Sequence, residues 1–486
     1  MEIKIRKLSD IIGSGRLFLF TVFLFVAETG WLSLTSRFPM AFDEAYHFGL
    51  IQYFSHHLNP IITKQASSSY KFGAIIQDPS FLYHYLMSFP YRFIELFTKS
   101  YEVQVIGLRF INIIIAVFSL IVLRKILRAI GFSAALTNIL VLAFALTPMV
   151  TALSAQINYD NLLILAVCLC VYETILCIKE LDSKVLNVGR LITLLCLCLF
   201  ASLVKFAFLP ILVAIFGLVL WRLLVFSRSR KASVLNLAKK NFKKLSTSTK
   251  IILILATVLG SFLFTRFYIV NVVKYHSPAP QCNQILSIED CKQYYAWNSN
   301  YMLAQQHAVH PVKRSMDVIT YFSYWFLLLV LELFGEIMPL QGISYVSEPF
   351  IVIVIILASS ALMCTIVNFR NMLRNRSLLA VSIIALLYLI ALFARNYHDY
   401  LRFDQPVAID GRYLIPVLIY IYALLGTGLR DTLNTLGSYG PRLKGILALV
   451  VIISFIIFGG FTQYITHITP KYGRISPLDN FILIPT

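Results

Sequence analysis

Two adjacent carboxylates, Asp43 and Glu44, stand a few residues past the end of the first hydrophobic run, in the stretch FPMAFDEAYHFGLIQYF. Burial among aromatic side chains raises a carboxylate's pKa, and a carboxylate so tuned is a good general base toward a hydroxyl acceptor. A third acid, Asp160, lies between Asn158 and Asn161 in the turn AQINYDNLL. A fourth, Asp78, precedes Pro79 in QDPSFLYHYL and opens a segment carrying Tyr83, His84 and Tyr85. Each has a plainer reading. Asp43 can cap the helix that follows it, Asp160 can be punctuation at a helix end, and the Asp78 segment can be an aromatic membrane anchor. We read Asp43, Glu44 and Asp160 as catalytic acids, and Tyr46, His47, Asp78, Tyr83, His84, Asn158, Asn161 and Tyr413 as lining the substrate.

The cations come next. Lys205 interrupts an apolar hairpin, SLVKFAFLP, and Arg395, Arg402 and Arg412 crowd the short polar stretch RNYHDYLRFDQPVAIDGRYLIP. Snorkelling to lipid headgroups accounts for any one of them. Several on one face fit an anionic ligand, and the planar fork of arginine suits a phosphate. Lys205, Arg412, Arg402 and Arg395 are therefore the candidate phosphate-binding set. The histidines carry no metal-ligand spacing beyond the neighbours His56 and His57 and the pair His307 and His310, so no metal ligand is assigned. Two carboxylates and a phosphate can hold Mg²⁺ or Mn²⁺ through oxygen, but the chemistry runs equally well without one. Glu28, inside the first apolar run, calls for an interhelical hydrogen bond or a cavity.

These residues need membrane helices to position them. The 486 residues are 58% hydrophobic and 13% charged, with a mean hydropathy of +0.77. A soluble chain carries about twice that share of charge. The formal charge of +19 does not point to nucleic acid, because the basic residues sit in short links between apolar runs, which is the positive-inside pattern. The sequence predicts an all-α polytopic membrane protein with about eleven spans, each matched to a bilayer core of about 30 Å. They are 17–35, 103–123, 132–153, 161–178, 188–204, 207–226, 251–272, 349–369, 377–394, 412–429 and 444–464.

Lys4, Arg6, Lys7 and Arg16 put the N-terminus inside, and the first run, which lacks a small-residue cleavage site, reads as a signal anchor. This orientation predicts a multi-pass plasma-membrane protein with its candidate site on the extracytoplasmic face and membrane lipids around it. If the apolar segment 318–338 crossed, it would turn the arginines of NFRNMLRNR outward, so it reads as interfacial or re-entrant, with a full span as the alternative. In the first outer loop, 36–102, the helix-periodic Phe42, Tyr46, Leu50 and Phe54 read as an interfacial helix. The expected organisation is a catalytic membrane module over 1–272, an outer loop over 273–317, a C-terminal membrane module over 318–486 and a short outer tail from about 465. Cys282 and Cys291 share the 273–317 loop, where an oxidising compartment favours a disulfide. The other cysteines lie in apolar runs as small buried hydrophobes.

A long first outer loop opening on Asp-Glu, an Asn-Tyr-Asp-Asn turn in the second, and apolar helices between them resemble the GT-C glycosyltransferases. More narrowly, they are similar to the protein O-mannosyltransferase and aminoarabinose transferase branch. The Asp78-Pro79 segment ending in Tyr83 is similar to that branch's first-loop proline stretch, but lacks the usual double proline. Gly411, Arg412, Tyr413 and Pro416 of GRYLIP look like a mark of bacterial relatives. The resemblance implies a GT-C-like fold and a sugar donor carried on a polyprenyl phosphate. It also implies inverting transfer on the outer face to a lipid, glycan or protein acceptor. Asp43 would be the base, Asp160 would orient acceptor or base, and Lys205 and Arg412 would offset charge on the departing phosphate. The loop after residue 273 is too short for an added sugar- or peptide-binding domain, which argues against an oligosaccharyltransferase.

Three rival readings stand beside this one. A transporter or lipid flippase needs ionisable residues near the midplane, whereas apart from Glu28 and Glu173 the charges here fall at span ends and in loops. A polysaccharide ligase or polymerase would use the same leaving group. A non-enzymatic scaffold would leave the outer acids and cations unexplained.

Overall fold

The computed structural model describes residues 9–41, 43–228, 234–309, 316–334 and 348–459. Phe42, residues 335–338, residues 460–464 and the expected outer tail lie outside the described residues. All regular structure among the described residues is helical, as the composition predicts. Nine of these helices are long and apolar enough to cross a membrane: Gly15–Thr35, Tyr101–Ile130, Tyr159–Asp182, Phe206–Arg228, Thr247–Tyr275, Glu348–Val367, Arg376–Phe403, Gly411–Asn434 and Gly440–Phe458. Val188–Val204, expected to span, and Val318–Phe334, expected to be interfacial or re-entrant, are apolar helices of 17 residues each. At about 1.5 Å per residue each is about 25 Å long, a little under the bilayer core.

The run 132–153, expected as one span, is instead a bent pair, Ala134–Ala145 and Pro148–Ser154, meeting at 64°. The break has a local cause. Pro148 has no N–H to continue the helical ladder and pushes the residue before it out of helical geometry. Thr147 accordingly adopts φ −66°, ψ 125°, and its hydroxyl donates to the Ala143 carbonyl at 2.7 Å. Pro148–Ser154 is buried along its whole length and leads into the turn that carries Asn158 and Asp160.

The core of the bundle is the packing of Tyr101–Ile130 on Tyr159–Asp182, flanked by Gly15–Thr35, Val188–Val204 and Leu209–Arg228. The opposite surfaces are apolar as well. On Thr247–Phe264, the side chains of Ile252, Leu255 and Val258 are each more than 60% exposed, as a helix facing hydrocarbon requires.

The predicted interfacial helix of the first loop forms as Glu44–Ser55, and one face of it packs against protein. Leu50 and Phe54 are buried in a cluster with Ile62, Ile75, Phe81, Leu263, Phe267 and Tyr268. Arg92 closes its C-terminal end by donating to the carbonyls of Phe54, Ser55 and His57. Arg266 and Asn271 bind the side chain and backbone of Gln77 at 2.7 and 3.0 Å, fastening the loop to the far end of Thr247–Tyr275. Cys282 and Cys291 are joined in a disulfide, with Cα atoms 5.8 Å apart.

The helix ends sort into two sets. Arg124 and Arg128 end Tyr101–Ile130, Lys179 ends Tyr159–Asp182, and Arg222 and Arg228 end Leu209–Arg228. The opposite end of Tyr159–Asp182 carries Asp160, and Lys205 lies just ahead of Leu209–Arg228. That end meets the first loop.

Candidate functional site

At the loop-bearing end of the bundle, four remote chain segments bring Asp43, Asp160, Lys205 and Arg412 together. Asp160 occupies the first turn of Tyr159–Asp182, whose start is fixed by the Asn158 side chain accepting from the Asp160 N–H at 2.9 Å. Lys205 stands where Val188–Val204 stops and the backbone turns extended, φ −157° and ψ 132°. Its ammonium donates to Asp160 Oδ1 at 2.7 Å, and both side chains are almost fully buried. The ammonium also lies 4.4 Å from the Tyr159 ring centroid and 4.8 Å from that of Tyr413, a cation–π arrangement on both sides. The second carboxylate oxygen of Asp160 is buried without a hydrogen bond.

Arg412 belongs to the turn Gly411–Leu414. Gly411 is needed there because a Cβ would stand 2.7 Å from the Leu333 backbone nitrogen, and its own N–H donates to Glu332 Oε2 at 2.6 Å. Asp410 accepts from the Arg412 N–H at 2.9 Å and faces Arg412 Nε at 3.1 Å. Burial pushes the Asp410 carboxyl above its usual range, with Arg412 drawing it back down. Arg412 Nη2 lies 3.6 Å from Asp43 Oδ2, and the guanidinium sits 5.1 Å from the Tyr413 ring centroid. Tyr413 thus carries a lysine and an arginine.

Asp43 holds the N-cap position of Glu44–Ser55, but its side chain makes no capping bond. Its backbone is left-handed, φ 63° and ψ 25°, a conformation that aspartate tolerates better than most residues. The carboxylate is 65% exposed and leans toward Arg412. It is the one acid of this cluster open to an incoming molecule among the described residues.

Glu44, expected beside Asp43 as a catalytic acid, points the other way. Arg109 donates to both of its oxygens at 2.8 Å, and neither side chain is exposed. Glu44 also accepts from the N–H groups of Met40 and Ile157 at 2.7 and 3.1 Å. Arg109 spends its remaining donors on the carbonyls of Ser33, Ser36 and Arg37. The pair ties the first span, the first loop and the second turn into one body.

Several other expected lining residues prove to be packed beneath the site. Tyr83 is fully buried and donates to Asn112 Oδ1 at 3.0 Å, and Asn161 bonds the same atom and the Leu153 carbonyl. Asn158 serves as the helix cap. His47 and His84 stack with ring centroids 5.2 Å apart and share a hydrogen bond of 2.9 Å between Nδ1 and Nε2. Burial holds both well below the usual histidine range, His84 at about 3. Tyr46 and Asp78 remain partly exposed, and Asp78 accepts from the Ser80 N–H at 2.8 Å. Arg395 and Arg402 are not drawn into the cluster. Arg395 is 61% exposed and paired with Asp399 on its own helix, and Arg402 lies over Phe403. No group of three or more His, Cys, Asp or Glu side chains is placed to hold a metal ion among the described residues.

Sequence reasoning missed Arg109, Asp410 and Tyr159. Arg109 had a legible signal, since a charge inside an apolar run demands a buried partner.

No protein-family model matches the sequence, and no curated protein sequence is similar to it. Among solved structures the chain aligns with the Archaeoglobus fulgidus oligosaccharyltransferase in its apo form at 12% identity and a TM-score of 0.46, covering 96% of this chain and 59% of that one. The complex of that enzyme with Zn and sulfate gives 12% and 0.46, covering 91% and 52%. Archaeal oligosaccharyltransferase AglB from the same organism, with an inhibitory peptide and a dolichol-phosphate, gives 12% and 0.44, covering 96% and 59%. The chain thus spans little more than half the length of these structures, and a likeness at this level assigns no residue a role.

Proposed function

We propose that this chain is an inverting membrane glycosyltransferase of the GT-C type, taking a sugar from a polyprenyl phosphate on the extracytoplasmic face. The observation that carries the reading is the shared Tyr413 ring: Lys205 and Arg412, both nearly buried, sit 4.8 and 5.1 Å from its centroid, each beside an acid. Buried cations focused on one point suit a ligand whose negative charge grows during reaction.

In the reaction, the acceptor oxygen attacks the anomeric carbon from the face opposite the phosphate. The bond from that carbon to the phosphate oxygen breaks and leaves its electron pair on the lipid phosphate. The acceptor proton passes to the Asp43 carboxylate. A phosphodiester carrying one negative charge thereby becomes a monoester approaching two, and Lys205 and Arg412 offset the increase. A phosphate that occupies Arg412 also releases Asp43 from its 3.6 Å contact, so donor binding frees the base. The basic residues at the opposite helix ends support an outward-facing site through the positive-inside rule. Oxygen ligands for a divalent ion exist in Asp43 and the donor itself, but no step above depends on one.

The test is a reconstituted assay with an undecaprenyl-phosphoryl sugar. Asp43→Asn is expected to cut transfer by about 10²- to 10⁴-fold while undecaprenyl phosphate still binds. Arg412→Ala should weaken that binding, and Arg412→Lys should restore it only in part because the fork is lost. Transfer by Asp43→Asn within a few fold of wild type, or unchanged lipid binding by Arg412→Ala, overturns the assignment.

A further inference from the structure

The longest stretch of this chain without a carboxylate runs from residue 183 to residue 288, and eight lysines and arginines fall within its residues 228–250. Part of this basic segment folds as the helix Val234–Lys243, at the end of the bundle away from the candidate site. Its apolar side, Val234, Leu237 and Ala238, packs on Leu181, Leu186 and Phe226. Asn241 fastens it by donating to the Leu186 carbonyl at 2.6 Å. Lys239, Lys240, Lys243 and Lys244 are left exposed. The acids nearest in sequence, Glu180 and Asp182, are already taken by Arg190, Arg222 and Arg376.

Beside this helix an open groove of about 230 Å³ lies between Val188–Val204 and Thr247–Phe264, with Leu195, Phe242, Leu253, Ile254 and Val258 in its wall. The Thr257 hydroxyl, the polar group of the lining, is turned to the Leu253 carbonyl at 2.7 Å, so the groove is apolar throughout. Leu195 and Leu253 stand about two turns into their helices, counted from the basic end. Ile254 and Val258 are at least half exposed, which opens the groove toward hydrocarbon. Three lysines gather at its basic end. Lys239 comes one turn before Phe242, and Lys243 follows it. On the next helix Lys250 heads the stripe that continues as Leu253, Ile254 and Thr257, three, four and seven residues on. Its ammonium donates to the Lys243 carbonyl at 2.9 Å, which brings the two basic segments together at the groove.

We propose that the groove and Lys239, Lys243 and Lys250 form a site for one anionic phospholipid of the leaflet opposite the candidate site. An acyl chain lies in the groove, and the headgroup phosphate accepts from the three ammonium groups. Such a site is independent of the transfer reaction proposed above. An apolar groove alone takes the chain of any lipid, so the selection comes from charge. A zwitterionic headgroup brings a further cation beside three lysines that have no acid of their own stretch to balance it. An anionic headgroup supplies the missing negative charge, and lysines on an amphipathic helix at a membrane surface favour anionic lipid one by one. Lys250 keeps two donors for the phosphate after binding the Lys243 carbonyl.

The experiment measures lipid affinity of the full chain in detergent micelles by native mass spectrometry. Its two probes, phosphatidylglycerol and phosphatidylethanolamine, carry the same dioleoyl chains and differ in charge. Wild type should bind one phosphatidylglycerol more tightly than phosphatidylethanolamine. Lys239→Gln with Lys243→Gln should weaken phosphatidylglycerol by about fivefold for each lysine and leave phosphatidylethanolamine unchanged. Both side chains are exposed, so the fold is not at stake. Ile254→Trp, which fills the groove, should weaken phosphatidylglycerol with every lysine in place. Lys125→Gln with Lys179→Gln removes two exposed lysines of the same basic end outside the groove and should change neither affinity. Equal wild-type affinity for the two lipids overturns the site. So does a Lys125 and Lys179 variant that loses as much as the Lys239 and Lys243 variant, because the preference would then belong to the basic end as a whole. Unchanged phosphatidylglycerol binding by Ile254→Trp overturns the groove as the seat of the chain.

Discussion

Glu44 and Arg109 form a two-toothed ion pair, 2.8 Å at each contact, with neither side chain reaching solvent. Glu44 follows Asp43 directly in sequence, yet the two acids serve different ends. Arg109→Met would leave the Glu44 charge buried and unpaired, a change that costs about 3–5 kcal/mol. We expect a correspondingly lower unfolding temperature in detergent. Adding Glu44→Gln should recover only part of the loss, because the carbonyls of Ser33, Ser36 and Arg37 still lack the donor that Arg109 gave them. A single variant as stable as wild type would show that the pair does not hold the loops together.

The Lys205–Asp160 pair allows structure and function to be separated. Lys205→Met leaves Asp160 buried without a partner, so it should destabilise the protein as well as weaken binding of undecaprenyl phosphate. Lys205→Met combined with Asp160→Asn removes both charges and should restore most of the stability, since neutral replacement of a buried pair is often tolerated. Lipid phosphate binding should not return. A double variant with wild-type affinity would mean that Lys205 serves only its acid.

The stacked histidines predict a pH dependence of stability. Burial keeps His47 and His84 neutral in the folded chain to well below the usual range, with the nearby His84, Arg412 and Lys205 reinforcing this for His47. In the unfolded chain both take up protons below about pH 6.5. The unfolded state therefore binds more protons in this interval, so stability falls as pH falls through it. The unfolding temperature should decline between about pH 7 and 5, above the range where most carboxylates titrate. The double change His47→Gln and His84→Gln should flatten the decline. An equally steep profile in that variant would trace the loss to other groups.

Hydropathy and charge are local properties, and what depends on them was legible before folding. The helical class, the positions of most spans, and the helix around residues 44–55 all follow from apolar periodicity and from links rich in Lys and Arg. Asp43, Asp160, Lys205 and Arg412 stood out for the same reason, each being a charge at the edge of an apolar run. The break at Pro148 was also written locally, although a purely apolar reading passed over it.

What the tertiary structure alone decided was direction and partnership. Asp43 and Glu44 are neighbours in sequence, and a left-handed backbone at Asp43 sends one carboxylate outward to Arg412 while the helix start turns the other inward to Arg109. Arg395 and Arg402 look equivalent to Arg412 in the sequence. Only Arg412 follows a glycine that can press against Leu333 and so carry its side chain into the bundle. Such contacts link positions tens to hundreds of residues apart. They form because close packing and the cost of an unpaired buried charge leave few arrangements of the whole bundle available, and a local pattern cannot express that constraint.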